Sequence, residues 1–174
     1  ERFEKGELMS LDSLDLPDSL RYETLQLGRT VYGGGGILPD VFVPIDTSLN
    51  STYFTDLLRK GLFNRSVLEY VDANRTRLEQ QYADRDAFVS DTSLEQELLD
   101  GLVALGESEE VAFVEEDWNT SLPAIELRLK AILARTLFDT TAFYEVFNPL
   151  NPIYNRGLEV LRDGTYKASG VTHR

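Results

Sequence analysis

Residues 121–137 read SLPAIELRLKAILARTL. Leu122, Ile125, Leu129, Ile132, Leu133 and Leu137 recur every three or four positions, which aligns them along one stripe of an α-helix. Ser121 followed by Pro123 marks the start, because serine caps free backbone N–H groups and proline is tolerated in the first turn. The same period extends outward. Ser51 is placed to cap a helix carrying Phe54, Leu57 and Leu58, with Gly61 to end it. A longer helix is expected from Arg65 to Tyr82, with Val67, Tyr70, Val71, Asn74 and Leu78 on one face. Thr92-Ser93-Leu94-Glu95 has the spacing of a capping box, followed by Leu94, Leu98, Leu99, Leu102 and Leu105 and a stop at Gly106. Two more helices are expected over Thr141–Phe147 and Asn151–Leu161, the second closed by Asp163-Gly164. No segment repeats with a period of about 20 to 50 residues, which argues against a solenoid.

The texture changes before Thr47. Gly6, Pro17, Gly28, the run Gly33 to Gly36, Pro39 and Pro44 punctuate short β-like stretches. Residues 21–27 alternate polar and apolar, as in a half-buried strand. Gly28 then turns the chain, and Arg29 to Tyr32 can return as the partner of a hairpin. Asp40 to Pro44 is a third candidate strand. So small a ribbon is marginal alone in water and should add to a larger sheet or pack on helices. Glu1 to Leu8 reads like a helix entered partway, and the chain opens on Glu1 in place of Met, so a processed or excised piece is expected. The predicted fold is mainly α with a small N-terminal antiparallel β element (α+β), divided into residues 1–46 and a multi-helix domain over 47–174.

The chain has 174 residues, enough for about one domain with a real core. Its 17 Lys+Arg against 30 Asp+Glu give a formal charge of −13, which opposes nucleic acid and anionic membrane surfaces as partners. Without cysteine there is no disulfide, thiolate metal site or thiol nucleophile. The lone histidine, His173, would force a Ser-His-Asp triad onto the chain's end. No apolar run reaches the roughly 20 residues of a membrane-spanning helix.

Four patterns carry possible chemistry. Gly33 to Gly36 could cradle an anion, but no Gly-Lys-Ser/Thr follows, and the freedom of glycine at a tight crossing accounts for the run. Glu107, Glu109, Glu110, Glu115, Glu116 and Asp117 lack the alternating oxygens and central glycine of a calcium loop, so a solvated helix face is preferred. With histidine effectively absent, a serine nucleophile would need a desolvated lysine as its base. None of Lys5, Lys60, Lys130 and Lys167 has a serine three residues before it. Asn-x-Ser/Thr triplets occur at Asn50, Asn64, Asn74 and Asn119, and those at Asn50 and Asn119 are read as helix-capping sequence.

Residues 29–44, RTVYGGGGILPDVFVP, complete the reading. With Gly28 in front they resemble the C-terminal processing peptidases, or tail-specific proteases, whose Gly-Arg-x-x-x-Gly-x-Gly-Ile-x-Pro-Asp stretch lies near the end of the protease core. The matching positions are Gly28, Arg29, Gly33, Gly34, Gly35, Gly36, Ile37, Pro39 and Asp40, followed by Val41. Gly6-Glu7-Leu8, Pro17 to Leu20 and Tyr22 look like the longer members of bacterial envelopes. The resemblance implies that the short strands close a protease sheet and that the Ser/Lys dyad and peptide-binding PDZ domain lie upstream. It carries no catalytic residue and no cofactor onto this chain. The glycines, Pro39 and Asp40 would shape turn and strand, with Asp40 capping backbone donors. The expected function is the C-terminal region of a periplasmic or envelope serine endopeptidase acting on polypeptide substrates, inactive alone and serving as a cap or docking region. The alternative is an acidic helical interaction module, able to self-associate.

Overall fold

The computed structural model describes residues 18–25, 28–33, 39–91 and 93–168. Among them are eight α-helices and one two-stranded antiparallel sheet, so the fold is mainly α with a small β element. Two compact units result, Thr47–Leu150, and Glu1–Asp46 together with Asn151–Arg174. No helix among the described residues is long and apolar enough to cross a membrane.

The Thr47–Leu150 unit is organised by α5 (Glu115–Leu137). Six consecutive residues, Leu129 to Ala134, are buried, so at that level the helix has no solvent side and needs cover all round. α1 (Thr52–Arg59), α2 (Leu62–Gln81) and α6 (Thr140–Phe147) pack on it directly. α4 (Gln96–Ser108) packs on α2, and the short α3 (Arg85–Ser90) packs on α6. Ile125, Leu129, Ile132 and Leu133 share one core with Leu57, Val67, Val71, Leu98 and Leu102. Each fully buried leucine of this kind stabilises by about 1.5–3 kcal/mol.

α5 begins earlier than Ser121 and Pro123 predict. Its first turn is Glu115, Glu116 and Asp117, three acids at the positive end of the helix dipole, and Pro123 lies inside. Asn119 therefore stands within the helix and does not precede its start. Ser121 is fully buried and works across helices: its hydroxyl accepts from the Ser51 backbone N–H at 3.0 Å and donates to the Ser51 hydroxyl at 2.7 Å. Ser51 caps α1 by accepting from the Phe54 N–H at 3.2 Å, and Asp117 accepts from the Tyr53 N–H at 2.9 Å. Orphan donors at the start of α1 are thus satisfied by α5 and by the cap. The buried stripe of α1 is Tyr53, Phe54 and Leu57, and Leu58 is exposed.

α2 starts at Leu62, ahead of the expected Arg65, because Gly61 takes a left-handed φ of 71° that turns the chain straight from one helix into the next. It buries Val67, Tyr70, Val71 and Leu78, while Asn74 is half-buried and donates to the Tyr70 carbonyl at 3.1 Å. Thr92 of the expected capping box lies outside the described residues, and Glu95 is itself the N-cap residue of α4 and makes no capping bond. Its carboxylate instead takes two bonds from Arg77, at 2.8 and 3.0 Å, tying α4 to α2. Arg77 also donates to the Tyr70 hydroxyl, which burial and the neighbouring Glu95 push up to about 12. α3 has no counterpart in the sequence reading; Asp84 caps it through the Ala87 N–H at 3.0 Å.

Gly106 does not stop α4. It is buried within the last turn, where an added Cβ would lie 3.2 Å from Leu57 and 3.3 Å from the Tyr53 hydroxyl, so it permits α4 to approach α1. The stop comes after Glu109. The Val111 N–H reaches back to the Gly106 carbonyl at 2.9 Å and the Glu110 N–H to that of Glu107 at 3.1 Å, a Schellman motif with buried Val111 closing it. Glu110 occupies the position usually held by glycine, with φ at 60°.

In the other unit, β1 (Arg21–Glu23) and β2 (Thr30–Tyr32) pair antiparallel, Arg21 opposite Tyr32 and Glu23 opposite Thr30. Gly28 turns the hairpin with φ at 59°. Asp40 to Pro44 forms no strand, for Pro39 and Pro44 lack the N–H a ladder needs. The expected half-burial of the hairpin is absent, as Tyr22 and Val31 are exposed. α7 (Pro152–Asp163) is capped by Asn151 and ended by left-handed Gly164, and α8 (Thr165–Ala168) follows. The helix expected over Glu1 to Leu8 lies outside the described residues.

The strain at Glu110 sets a test. Glu110→Gly should raise unfolding stability by about 1 kcal/mol, by removing a left-handed Cβ and a negative charge from the negative end of α4. Urea denaturation should show the midpoint rise, and a fall would mean that the motif is not strained.

Candidate functional site

The core stripe of α5 leaves a second face. Pro123, Glu126, Leu127 and Lys130 follow the same helical spacing, three and four residues apart, and together form one wall of a cavity of about 420 Å³. Val89 at the end of α3, Asp91 and Leu94 before α4, Glu145 and Val146 of α6, and Pro149 and Leu150 in the 3-10 turn Asn148–Leu150 complete it. The size falls within the range of about 300–1,000 Å³ typical of small-ligand pockets, and the lining is mostly apolar.

Lys130 is the unusual member. It is 7% exposed, and among the described residues its amine has no hydrogen-bond partner. The amine sits 5.3 Å from the centre of the Phe88 ring, whose face attracts the cation weakly. Burial pushes its pKa down from the ordinary lysine value, and the Asp91 carboxylate offsets this only in part. Asp91 is also engaged locally, accepting from the N–H and hydroxyl of Ser93, both at 2.8 Å. Glu145 is held by Arg85 through two bonds at 2.6 and 3.1 Å. The cavity therefore combines apolar walls, one under-solvated amine and carboxylates, one of which is already neutralised.

The motif residues read from the sequence are placed in part. Arg29 and Asp40 are brought together as an ion pair, so the Asp40 carboxylate binds a side chain. At Gly33, an added Cβ would come 2.8 Å from the Tyr22 ring, so the exposed tyrosine would have to shift for any larger residue there. Pro39 is exposed, and Gly34, Gly35, Gly36 and Ile37 lie outside the described residues. The acidic cluster is dispersed: Glu109 pairs with Arg65, Glu110 turns the chain, and Asp117 binds α1. Among the described residues no group of three His, Cys, Asp or Glu side chains is placed to hold a metal ion.

Residues 53–139, half of the chain, match DUF8443, a family of unknown function. The chain belongs to that family. No curated protein and no solved structure matches it. The DUF8443 segment runs from the first turn of α1 to the residue that caps α6, so it includes Phe88, Asp91 and Lys130 and stops short of Glu145 and Val146. Sequence reasoning named Lys130 only as one of four lysines. Its position between Leu129 and Ala131, in the longest buried run of α5, was the available signal.

An isosteric apolar replacement tests the state of this amine. Lys130→Met should stabilise the fold by about 1–3 kcal/mol near neutral pH, by removing an unpartnered buried polar group. The lysine's pKa is lower folded than unfolded, so between the two the unfolded chain binds more protons and stability rises with pH. The advantage of methionine should accordingly be greatest below the folded pKa and fade as pH climbs to 10.5. Thermal melts of both proteins across that window would show it, and a difference independent of pH would mean that the amine is not perturbed.

Proposed function

We propose that the chain is the non-catalytic end of a C-terminal processing serine endopeptidase of the bacterial envelope, and that its helical unit is a binding module whose cavity takes an apolar ligand. The observation that carries the protease half is the β1–β2 hairpin. It bears the motif that resembles the end of the protease core, and it exposes Tyr22, Leu25 and Val31, as a ribbon awaiting a larger sheet would. Hydrolysis would belong to an upstream serine and its lysine base. In this chain Ser121 is engaged with Ser51, and Lys130 contacts no hydroxyl. The binding half rests on the apolar lining of the cavity and its orphan amine.

The 174-residue chain should hydrolyse no casein while the longer protein containing it does. It should also enhance the fluorescence of N-phenyl-1-naphthylamine, and Val146→Trp, which fills the cavity, should abolish that signal. An upstream sequence without a Ser/Lys core would overturn the protease half, and dye binding unchanged by Val146→Trp would overturn the binding half.

One observation favours a second reading, an interaction module without an enzymatic role. α7 buries no residue, and Ile153 and Leu161 on it are 58% and 66% exposed, an apolar face able to pair with a second copy. Light scattering should then give a dimer for the chain and a monomer for Leu161→Glu; a monomer in both cases removes this reading.

A further inference from the structure

We infer that Lys130 is an imine-forming amine and that its cavity takes a small, uncharged, apolar carbonyl compound, an inference that rests on the binding role given to the cavity above. The amine is more than nine-tenths buried, lacks a partner and lies against apolar walls that include Val89, Leu127 and Val146. A lysine in such surroundings keeps its lone pair free, because burial disfavours the ammonium form. The lowered pKa agrees with this. Lys130 lines the cavity, and imine formation requires its Nζ to turn from the Phe88 ring toward that space.

The charged groups facing the cavity select the ligand. Asp91 follows α3, Glu126 stands on α5 and Glu145 on α6, and only Glu145 is paired with an arginine, Arg85. Two unneutralised carboxylates repel an anion, so a fatty acid or other apolar carboxylate is disfavoured. An aldehyde carries no charge, and its chain matches the walls. In the reaction the amine lone pair forms a C–N bond to the carbonyl carbon. Both amine hydrogens leave with the carbonyl oxygen as water, and a C=N bond remains. No oxidant or reductant is needed. Apolar walls keep the released water from returning readily. The chain has no cysteine, so no thiol competes for the carbonyl.

The test treats the full chain at pH 7 with hexanal and sodium cyanoborohydride, which delivers hydride to the C=N bond and leaves a stable N-hexyl lysine. Peptide mapping by mass spectrometry then compares Lys130 with Lys60 and Lys167, both exposed. Lys130 should be labelled faster than either, the direction in which burial of its ammonium form and the adjoining cavity both act. Val146→Trp, which keeps the lysine and fills the cavity, should bring Lys130 down to or below the rate of the exposed pair. Equal rates at the three lysines in the parent chain would overturn the inference. If the naphthylamine dye still binds in that case, the cavity keeps its binding role and only the imine chemistry falls. If the dye does not bind either, both readings fall.

Discussion

The burial of α5 on every side constrains the rest of the helical unit. A helix covered on one face needs one neighbour, whereas six consecutive buried residues need a continuous sleeve. α1, α2 and α6 provide it, and the cap of α1 is coupled to the same helix. Ser121, Ser51 and Asp117 form a polar rivet at one end of α5, where the small side chains let α1 seat its N-terminal donors on its neighbour. The cavity lies on the face of α5 that carries Pro123, Glu126, Leu127 and the stem of buried Lys130.

Much of this was legible in the sequence, for a definite reason. The leucine and isoleucine spacing of α2, α4 and α5 reports a one-sided demand for burial, and such a demand fixes where helices run. Boundaries were less legible because they depend on partners in space. Glu95 fits a capping box by spacing, but Arg77 from another helix claims its carboxylate. Ser121 and Pro123 look like a start, yet three acids extend α5 upstream and Ser121 serves Ser51. Gly106 looks like a stop, yet it is needed for the approach of α1. The cavity was illegible from local pattern, since its walls come from three separate stretches, and a lysine in a helix ordinarily snorkels to water.

The hairpin obeys a different economy. Two three-residue strands pair with each other along one edge, and among the described residues no third strand joins them. Gly28 and Gly33 fix its geometry closely, one by its left-handed φ and the other by its contact with the Tyr22 ring. Arg29 and Asp40 add an ion pair that holds the returning chain. Such local specification without burial is what the role proposed above for the hairpin, a ready edge for a larger sheet, would require.

The placement of Lys130 is the point at which fold and binding meet. A methionine there would keep the packing of the aliphatic stem and remove an amine that nothing among the described residues satisfies. The lysine therefore costs stability in the unliganded state, and the Phe88 ring and the Asp91 charge recover only part of that cost. The same desolvation that makes the ammonium form costly makes the amine less basic and so favours the neutral form, whose lone pair can bond. A cost of this kind, set in the wall of an apolar cavity instead of a closed core, is relieved when a molecule enters and bonds to the nitrogen, so ligand binding and stability are linked through one atom.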